Sequence, residues 1–335
     1  MLKRVISLVL SICILTFCGA VFSGCSKGKN SDYPVTLGNV TITKEPKNIV
    51  VLSDCLADVI SCIGYDVKMV GKSLDCDQEF LSVVPYVGIK GDPDINKIIE
   101  SETDLIITDS ALSDSAQQQL QKKNIPIVTM LKAGSMDELK TLYSNLGMIL
   151  GGNVTGKAKG EEAYSKLIDT LNSFDSSISK SIVKTAAYLY LNDEGKLSTF
   201  TNGSIEQELF GYCAAVNVFA DQENPEVDIE KLKMSTPTYI FYDSDEVIDY
   251  LKADESLATL SALTSDRSMK VELINFNRQG VTYEDTVYNI MSFMFVESDA
   301  TPDEATANIQ DEVNSAAKET QAETTDIESS NSSES

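Results

Sequence analysis

The chain is expected to be an α/β protein: two Rossmann-like lobes with mainly parallel sheets, joined by a single long α-helix. Three observations lead there. Short apolar runs of strand character alternate with helical segments across residues 46–150, and the same alternation returns across 183–297. Between the two blocks lies a stretch whose apolar positions repeat with helical rather than strand periodicity. Strands that alternate with helices imply a parallel sheet covered on both faces.

In chain order, residues 48–53 read as an apolar strand, 56–63 as a helix ending at Gly64, 68–71 as a short strand and 104–108 as another. A helix over 94–100 precedes that last strand and one over 113–123 follows it, with 126–130 as a further strand. The connecting segment, 151–182, centres on 155–179. There Ala158, Ala163, Tyr164, Leu167, Ile168, Leu171 and Phe174 fall largely on one helical face. A helix of about 25 residues spans roughly 37 Å, enough to cross a small protein. The second block opens with a strand over 185–191, followed by helices over 204–212 and 229–233 and a strand over 238–242. Helices over 245–252 and 256–262, a last strand over 271–276 and a closing helix over 283–295 complete it.

The two ends have different characters. Lys3 and Arg4, an apolar run over 5–17 and a small-residue approach to Cys25 form an export signal over 1–24. The small residue directly before Cys25 resembles the lipobox of bacterial lipoproteins, which implies acylation of Cys25. An ordinary signal peptide cut at Gly19 or Ala20, or an uncleaved anchor, are the alternatives, and all three place the remainder outside the cytoplasm. Residues 25–45 are expected to be a lipidated cysteine and flexible tether. From Glu297 onward eleven acidic residues stand against one lysine, Lys318, with no aromatic residue, so 298–335 is expected to stay an unfolded acidic tail.

Composition removes whole classes of function. A formal net charge of −24 argues against nucleic acid or an anionic membrane surface as partners. With no histidine in the chain, charge-relay hydrolases and His-ligated zinc, manganese or haem sites lack their imidazole. No catalytic residue, cofactor or resident metal is expected. Cys55, Cys62, Cys76 and Cys213 match no Cys-x-x-Cys spacing, and Cys62 and Cys213 read as small buried hydrophobes.

Four stretches carry a resemblance. They are PKNIVVLSDCLADVISCIGYDVKMVGKS from Pro46, VPYVGIKGDPDINKIIESETDLIITDS from Val84, FTNGSIEQELFGYCAAVNVFAD from Phe200 and VDIEKLKMSTPTYIFYD from Val227. In this order the sequence resembles the ABC-importer binding proteins for ferric siderophores, cobalamin and related chelates, the helical-backbone class III of periplasmic binding proteins. The resemblance implies a monomeric receptor without enzymatic activity. It would capture a metal chelate between its lobes and deliver it to a membrane permease and its ATPase. A receptor of a sensor system or an adhesin on the same scaffold is the alternative, and a carboxylate-dependent extracellular hydrolase a further one.

In open parallel sheets ligands collect beyond the carboxyl ends of the strands. In the first lobe those ends carry Asp54, Cys55, Ser73, Asp75, Cys76, Asp109 and Ser110. In the second they carry Asn192, Phe200, Thr201, Asn202, Tyr242, Asp243, Asn277 and Arg278. Each of these polar residues has a second reading as a helix cap. Phe200 aligns with an aromatic that cobalamin-binding relatives lay against their ligand. Asp109 and residues 224–226 stand where such relatives often have large aromatics, which puts a stacked macrocycle in doubt. Arg278, at an expected strand end, could clamp a carboxylate or a ferric chelate bidentately. Cys55 and Cys76, on expected cleft loops, permit a disulfide, a soft-metal contact or independent thiols. The resemblance also implies permease docking through acidic side chains on each lobe: Glu206 and Glu208 in the second, Asp114 or Glu79 in the first.

Overall fold

A computed structural model describes residues 32–176 and 184–295. The expected signal, Cys25 and the acidic tail lie outside the described residues. The expected tether lies partly inside them, and there it is not loose. Residues Val35–Leu37 (β1) and Val40–Ile42 (β2) pair as an antiparallel hairpin. Tyr33 donates to the Ile149 carbonyl at 2.9 Å, and Asp32 accepts from the Val154 and Thr155 amides, both at 2.9 Å. Val35 is fully buried, so this stretch contributes core surface that composition alone does not announce.

The first lobe is a four-stranded parallel sheet in the order β4-β3-β5-β6: Met69–Lys72, Ile49–Leu52, Leu105–Thr108 and Ile127–Thr129. The central strands IVVL and LIIT are buried at every position, as a sheet covered on both faces requires. Its helices are α1 (Asp54–Cys62), α2 (Ile95–Glu100), α3 (Asp114–Lys122) and α4 (Met136–Gly151). Ser53, Asp94, Ser113 and Ser135 cap them, each side chain accepting from an amide two or three residues on. Helix α4 is absent from the sequence expectations. Ser135, Glu138 and the spacing of Leu139, Leu142, Tyr143, Leu146, Ile149 and Leu150 nevertheless carry a start signal and a buried face.

A long helix, α5 (Lys157–Ser176), joins the two lobes. Its 20 residues reach about 30 Å. It does not begin at residue 151, where the expected segment was placed. The chain instead turns through Gly152–Gly156, with Gly152 at φ 102°, and α5 runs back antiparallel along α4. A Cβ at Gly160 would lie 2.2 Å from the Tyr143 carbonyl oxygen, and one at Gly147 equally close to that of Gly156. Only glycine permits this backbone approach. Tyr143 and Tyr164 meet edge-on one turn further along, centroids 5.8 Å apart.

The second lobe carries β7 (Lys184–Leu191), β8 (Leu197–Ser198), α6 (Ile205–Gly211), β9 (Ala215–Asn217), α7 (Ile229–Ser235) and β10 (Tyr239–Tyr242). It continues with α8 (Asp245–Ala253), α9 (Ser261–Thr264), β11 (Ser268–Lys270), α10 (Leu273–Asn277) and α11 (Val281–Phe295). Strands β11, β10, β7 and β9 are parallel in that order, and β8 lies antiparallel against the carboxyl end of β7. Two expectations are corrected here. The strand expected over 271–276 is mostly helix α10, because the Asp243 carboxylate accepts the Leu273 amide at 2.6 Å and starts a helical turn. The helix expected over 256–262 is a turn around Asp254, which accepts from the Ser256 and Leu257 amides, and only α9 follows. Cys213 is buried, as expected, in the turn after α6.

One continuous apolar core runs through both lobes, from Val35 and Leu56 to Phe276 and Met294. Smaller clusters fill the outer faces of each sheet. Residues 278–280 make a second junction beside α5. Gly280 packs so tightly on α1 that a Cβ would lie 2.3 Å from the Asp58 carbonyl oxygen.

Candidate functional site

Two adjoining cavities open where the carboxyl ends of the two sheets face each other. The first, about 360 Å³, is lined by Asp54, Cys55, Lys90, Asp109 and Lys132 from the first lobe and by Leu273, Ile274 and Asn277 from the second. The second, about 350 Å³, shares Lys132, Leu273 and Asn277 and adds Tyr190, Thr199, Phe200, Thr201, Ser204, Glu206, Glu223 and Pro225. Together they form one groove between the lobes, of the size and mixed lining expected for a small-molecule site.

The floor is an ion-pair network. Asp109 Oδ2 accepts from Ser53 Oγ at 2.8 Å and from Lys90 Nζ at 2.7 Å, and Lys90 lies 3.7 Å from Asp75 Oδ2. Burial works against the Lys90 charge, but the hydrogen bond and charge of Asp109 prevail and hold its pKa above the ordinary value. The pKa of Asp54 is raised as well, which for a carboxylate disfavours the charged form: burial is the first cause and repulsion from Asp75 the second. Arg278 reaches into this network from the second lobe. It bonds Asp77, sits 3.6 Å from Asp54 Oδ2 and is only 8% exposed. It follows α10 rather than a strand, and its guanidinium is committed to the protein's own carboxylates. It lines neither cavity, and its Nε is left without a hydrogen-bond partner.

Behind the groove, Gln279 is fully buried and ties three elements together. Its side-chain oxygen accepts from the Ala133 amide at 2.8 Å and the Cys55 thiol at 3.5 Å, and its nitrogen donates to the Ala133 carbonyl at 2.7 Å. One residue on, Asp58 accepts from the Gly280 amide at 2.7 Å, the Thr282 amide at 3.1 Å and the Thr282 hydroxyl at 2.7 Å. It thereby caps the start of α11 from the opposite lobe.

The predicted residues divide by place. Asp54, Cys55, Asp109, Phe200, Thr201 and Asn277 line the groove, joined by Glu206. Asp75 and Arg278 stand behind its wall. Phe200 shows the groove little more than an edge. It is 4% exposed and stacked on Tyr188 at 4.3 Å, within an aromatic cluster that includes Phe210 and Phe276. Ser73 and Cys76 are buried against each other at 3.4 Å. Ser110 is half-buried and bonds back to Thr108. Asn192 holds the turn to Lys196 through two amides, and Asn202 is exposed with its amide bonded to Gln222. Tyr242 packs on the outer core of its sheet, and Asp243 holds the Leu273 amide. None of these last seven lines either cavity.

Cys55 and Cys76 are free thiols, so the disulfide option is closed. Burial pushes the Cys76 thiol up to about 11 and raises Cys55 further still, which leaves both unreactive near neutrality. Among the described residues no cluster of three or more His, Cys, Asp or Glu has metal-holding geometry. Asp114 and Glu208 are exposed in the first turns of their helices, and Glu79 is exposed in a short 3₁₀ turn.

Lys90, Lys132, Tyr190, Thr199 and Glu223 were not anticipated. Lys132 follows β6, so the carboxyl-end rule pointed to it as clearly as to Asp109. Lys90 sits between Gly88 and Gly91 inside one of the stretches that carry the family resemblance. Thr199 and Glu223 had no comparable signal, because β8 and the bridge from Ser198 to Glu226 position them.

Residues 49–269 match the family model of the periplasmic binding proteins. The chain belongs to that family. Periplasmic binding proteins are transport components rather than enzymes. Among curated relatives, an ABC transporter substrate-binding lipoprotein, YvrC of Bacillus subtilis, is 28% identical over 59% of this chain and 65% of its own length. That span is slightly under two thirds of the relative. The Fe(3+)-citrate-binding protein YfmC of the same organism is 24% identical over 76% of this chain and 86% of its own. Among solved structures, the periplasmic heme binding protein HutB of Vibrio cholerae superposes with a TM-score of 0.61 at 14% identity, covering 74% of this chain and 98% of its own. The vitamin B12 binding protein BtuF of Vibrio cholerae gives 0.52 at 21%, covering 76% and 99%. These structural matches confirm the two-lobed fold with its connecting helix.

Proposed function

We propose that this periplasmic binding protein is the extracytoplasmic, lipid-anchored receptor of an ABC importer. It captures a ferric siderophore, a corrinoid or a related metal chelate between its lobes and hands it to a permease and its ATPase. The observation that carries this reading is the groove: two cavities sharing Lys132, Leu273 and Asn277, walled by both lobes at the carboxyl ends of both sheets. The relative named as binding Fe(3+)-citrate supports an iron chelate as cargo. Anchoring through Cys25 rests on the lipobox-like approach in the sequence and on the lipoprotein relative.

Asp114 and Glu208, one on each lobe and both exposed at helix starts, serve as the permease contacts. Glu206 faces the groove and is assigned to the ligand instead. Native mass spectrometry against a panel of ferric siderophores and corrinoids tests the reading. A one-to-one adduct with one of them is expected, and absence of any adduct across the panel rejects it. Reversing the charges of Asp114 and Glu208 together should abolish uptake while leaving ligand affinity unchanged.

A further inference from the structure

Resting on that reading, we infer that the groove selects a chelate that is uncharged or cationic and presents N–H or O–H donors, and that it discriminates against polyanionic chelates. Four carboxylates line the two cavities, Asp54, Asp109, Glu206 and Glu223, against two lysines, Lys90 and Lys132. The positive charge is largely spent inside the protein. Lys90 is paired with Asp109 and Asp75, and Arg278 behind the wall with Asp54 and Asp77. Lys132 is the one lining cation without a carboxylate partner among the described residues, and its amine bonds the Asn277 side-chain oxygen. An anionic ligand would meet excess negative charge in a partly dehydrated groove, where like charges repel more strongly than in bulk water.

Two unpartnered polar atoms of the lining point the same way, while the unpartnered Nε of Arg278 lies behind the wall, 3.6 Å from Asp54 Oδ2. Thr199 is 1% exposed, lines the second cavity and leaves Oγ1 without a hydrogen-bond partner. Asp109 lines the first cavity and leaves Oδ1 buried and unpartnered, while Oδ2 takes both of its bonds. An ionised carboxylate can only accept hydrogen bonds, and a hydroxyl can accept as well as donate. Buried acceptors left empty are costly, so the ligand is the natural source of the missing donors.

A charge series on one iron core tests this. The probes are ferric desferrioxamine B with its free ammonium, its N-acetylated neutral form and its N-succinylated anionic form. Ferric citrate, a ferric tris-catecholate, haemin and cyanocobalamin are titrated alongside. Binding to the purified full-length chain is followed by tyrosine fluorescence. The expected result is that the best ligands are neutral or cationic, with the succinylated form at least about tenfold weaker than the ammonium form at low salt. The gap should narrow at high salt. Glu223→Gln, at an exposed position, and Asp109→Asn should each reduce the discrimination, and Thr199→Val should weaken neutral and cationic probes alike. If Asp109→Asn does not fold, Glu223→Gln still decides the charge question. Tight binding of ferric citrate or the tris-catecholate in preference to every neutral and cationic probe overturns the inference while leaving the chelate-receptor reading intact. No binding of any probe overturns both.

Discussion

At the scale of single residues, the groove is backed by side chains that bond across to the opposite lobe. Asp58, on α1, accepts three hydrogen bonds from Gly280 and Thr282 at the start of α11. Asp58→Ala leaves two amides and a hydroxyl without their partner, and a loss of about 2–4 kcal/mol is expected, measured by urea unfolding. The same residue sets a pH dependence. Burial pushes its carboxyl up to about 6, against the pull of its three donors and of Arg278. Between the ordinary carboxylate range and about pH 6 the folded state therefore holds a proton that the unfolded chain has released. Stability contributed by Asp58 is full at the acid end of that window and falls as pH rises through it. Asp54, Glu284 and Asp285 are raised by burial too and act in the same direction. The melting temperature should rise as pH is lowered from 7 towards 5, and Asp58→Asn should flatten that rise; a melting temperature that falls over this interval would contradict the assignment. Asp54 and Asp109 were legible from the sequence as residues that line the groove, but not what each bonds there, and Arg278, expected beside them, stands behind the wall. Arg278 was read as free to meet a ligand because the sequence does not show that Asp54 and Asp77 are waiting for it.

At the scale of elements, the α4–α5 hairpin fixes where the connecting helix starts. Its closest contacts are backbone on backbone at Gly147, Gly156 and Gly160. Gly160→Ala would force a Cβ to within 2.2 Å of the Tyr143 carbonyl, so the helices must separate. A loss of about 1–3 kcal/mol is expected, outweighing the usual helix gain of Gly→Ala. Thermal melting of G160A beside a control, Gly211→Ala, checks this, since nothing lies within 4 Å of a Cβ at Gly211. Strands buried on both faces, such as IVVL and LIIT, and the capped helices α1, α2 and α3 were legible because short-range chemistry decides them, whereas α4 was missed although Ser135 caps it. Helix α10 was misread as strand because Val271, Leu273 and Phe276 suit either state, and a bond from Asp243, thirty residues away, decides between them.

At the scale of the whole molecule, the two lobes share one core and meet at two places, α5 and residues 278–280. A junction of that kind resists hinge motion more than a single linker could. Ligand binding is therefore expected to change the radius of gyration by less than about 1 Å, measured by small-angle X-ray scattering on the free and loaded chain. A larger compaction would show that the buried bonds of Gln279 and Gly280 break on closure. The fold class, the two lobes, the long helix between them and the absence of imidazole chemistry could be read along the chain, because periodicity, caps and composition are properties of neighbouring residues. Which charges remain free in the groove became visible in the folded protein alone. Ion pairs such as Arg278 with Asp54 form between residues more than two hundred positions apart, and their neutralisation depends on distance in space rather than along the chain.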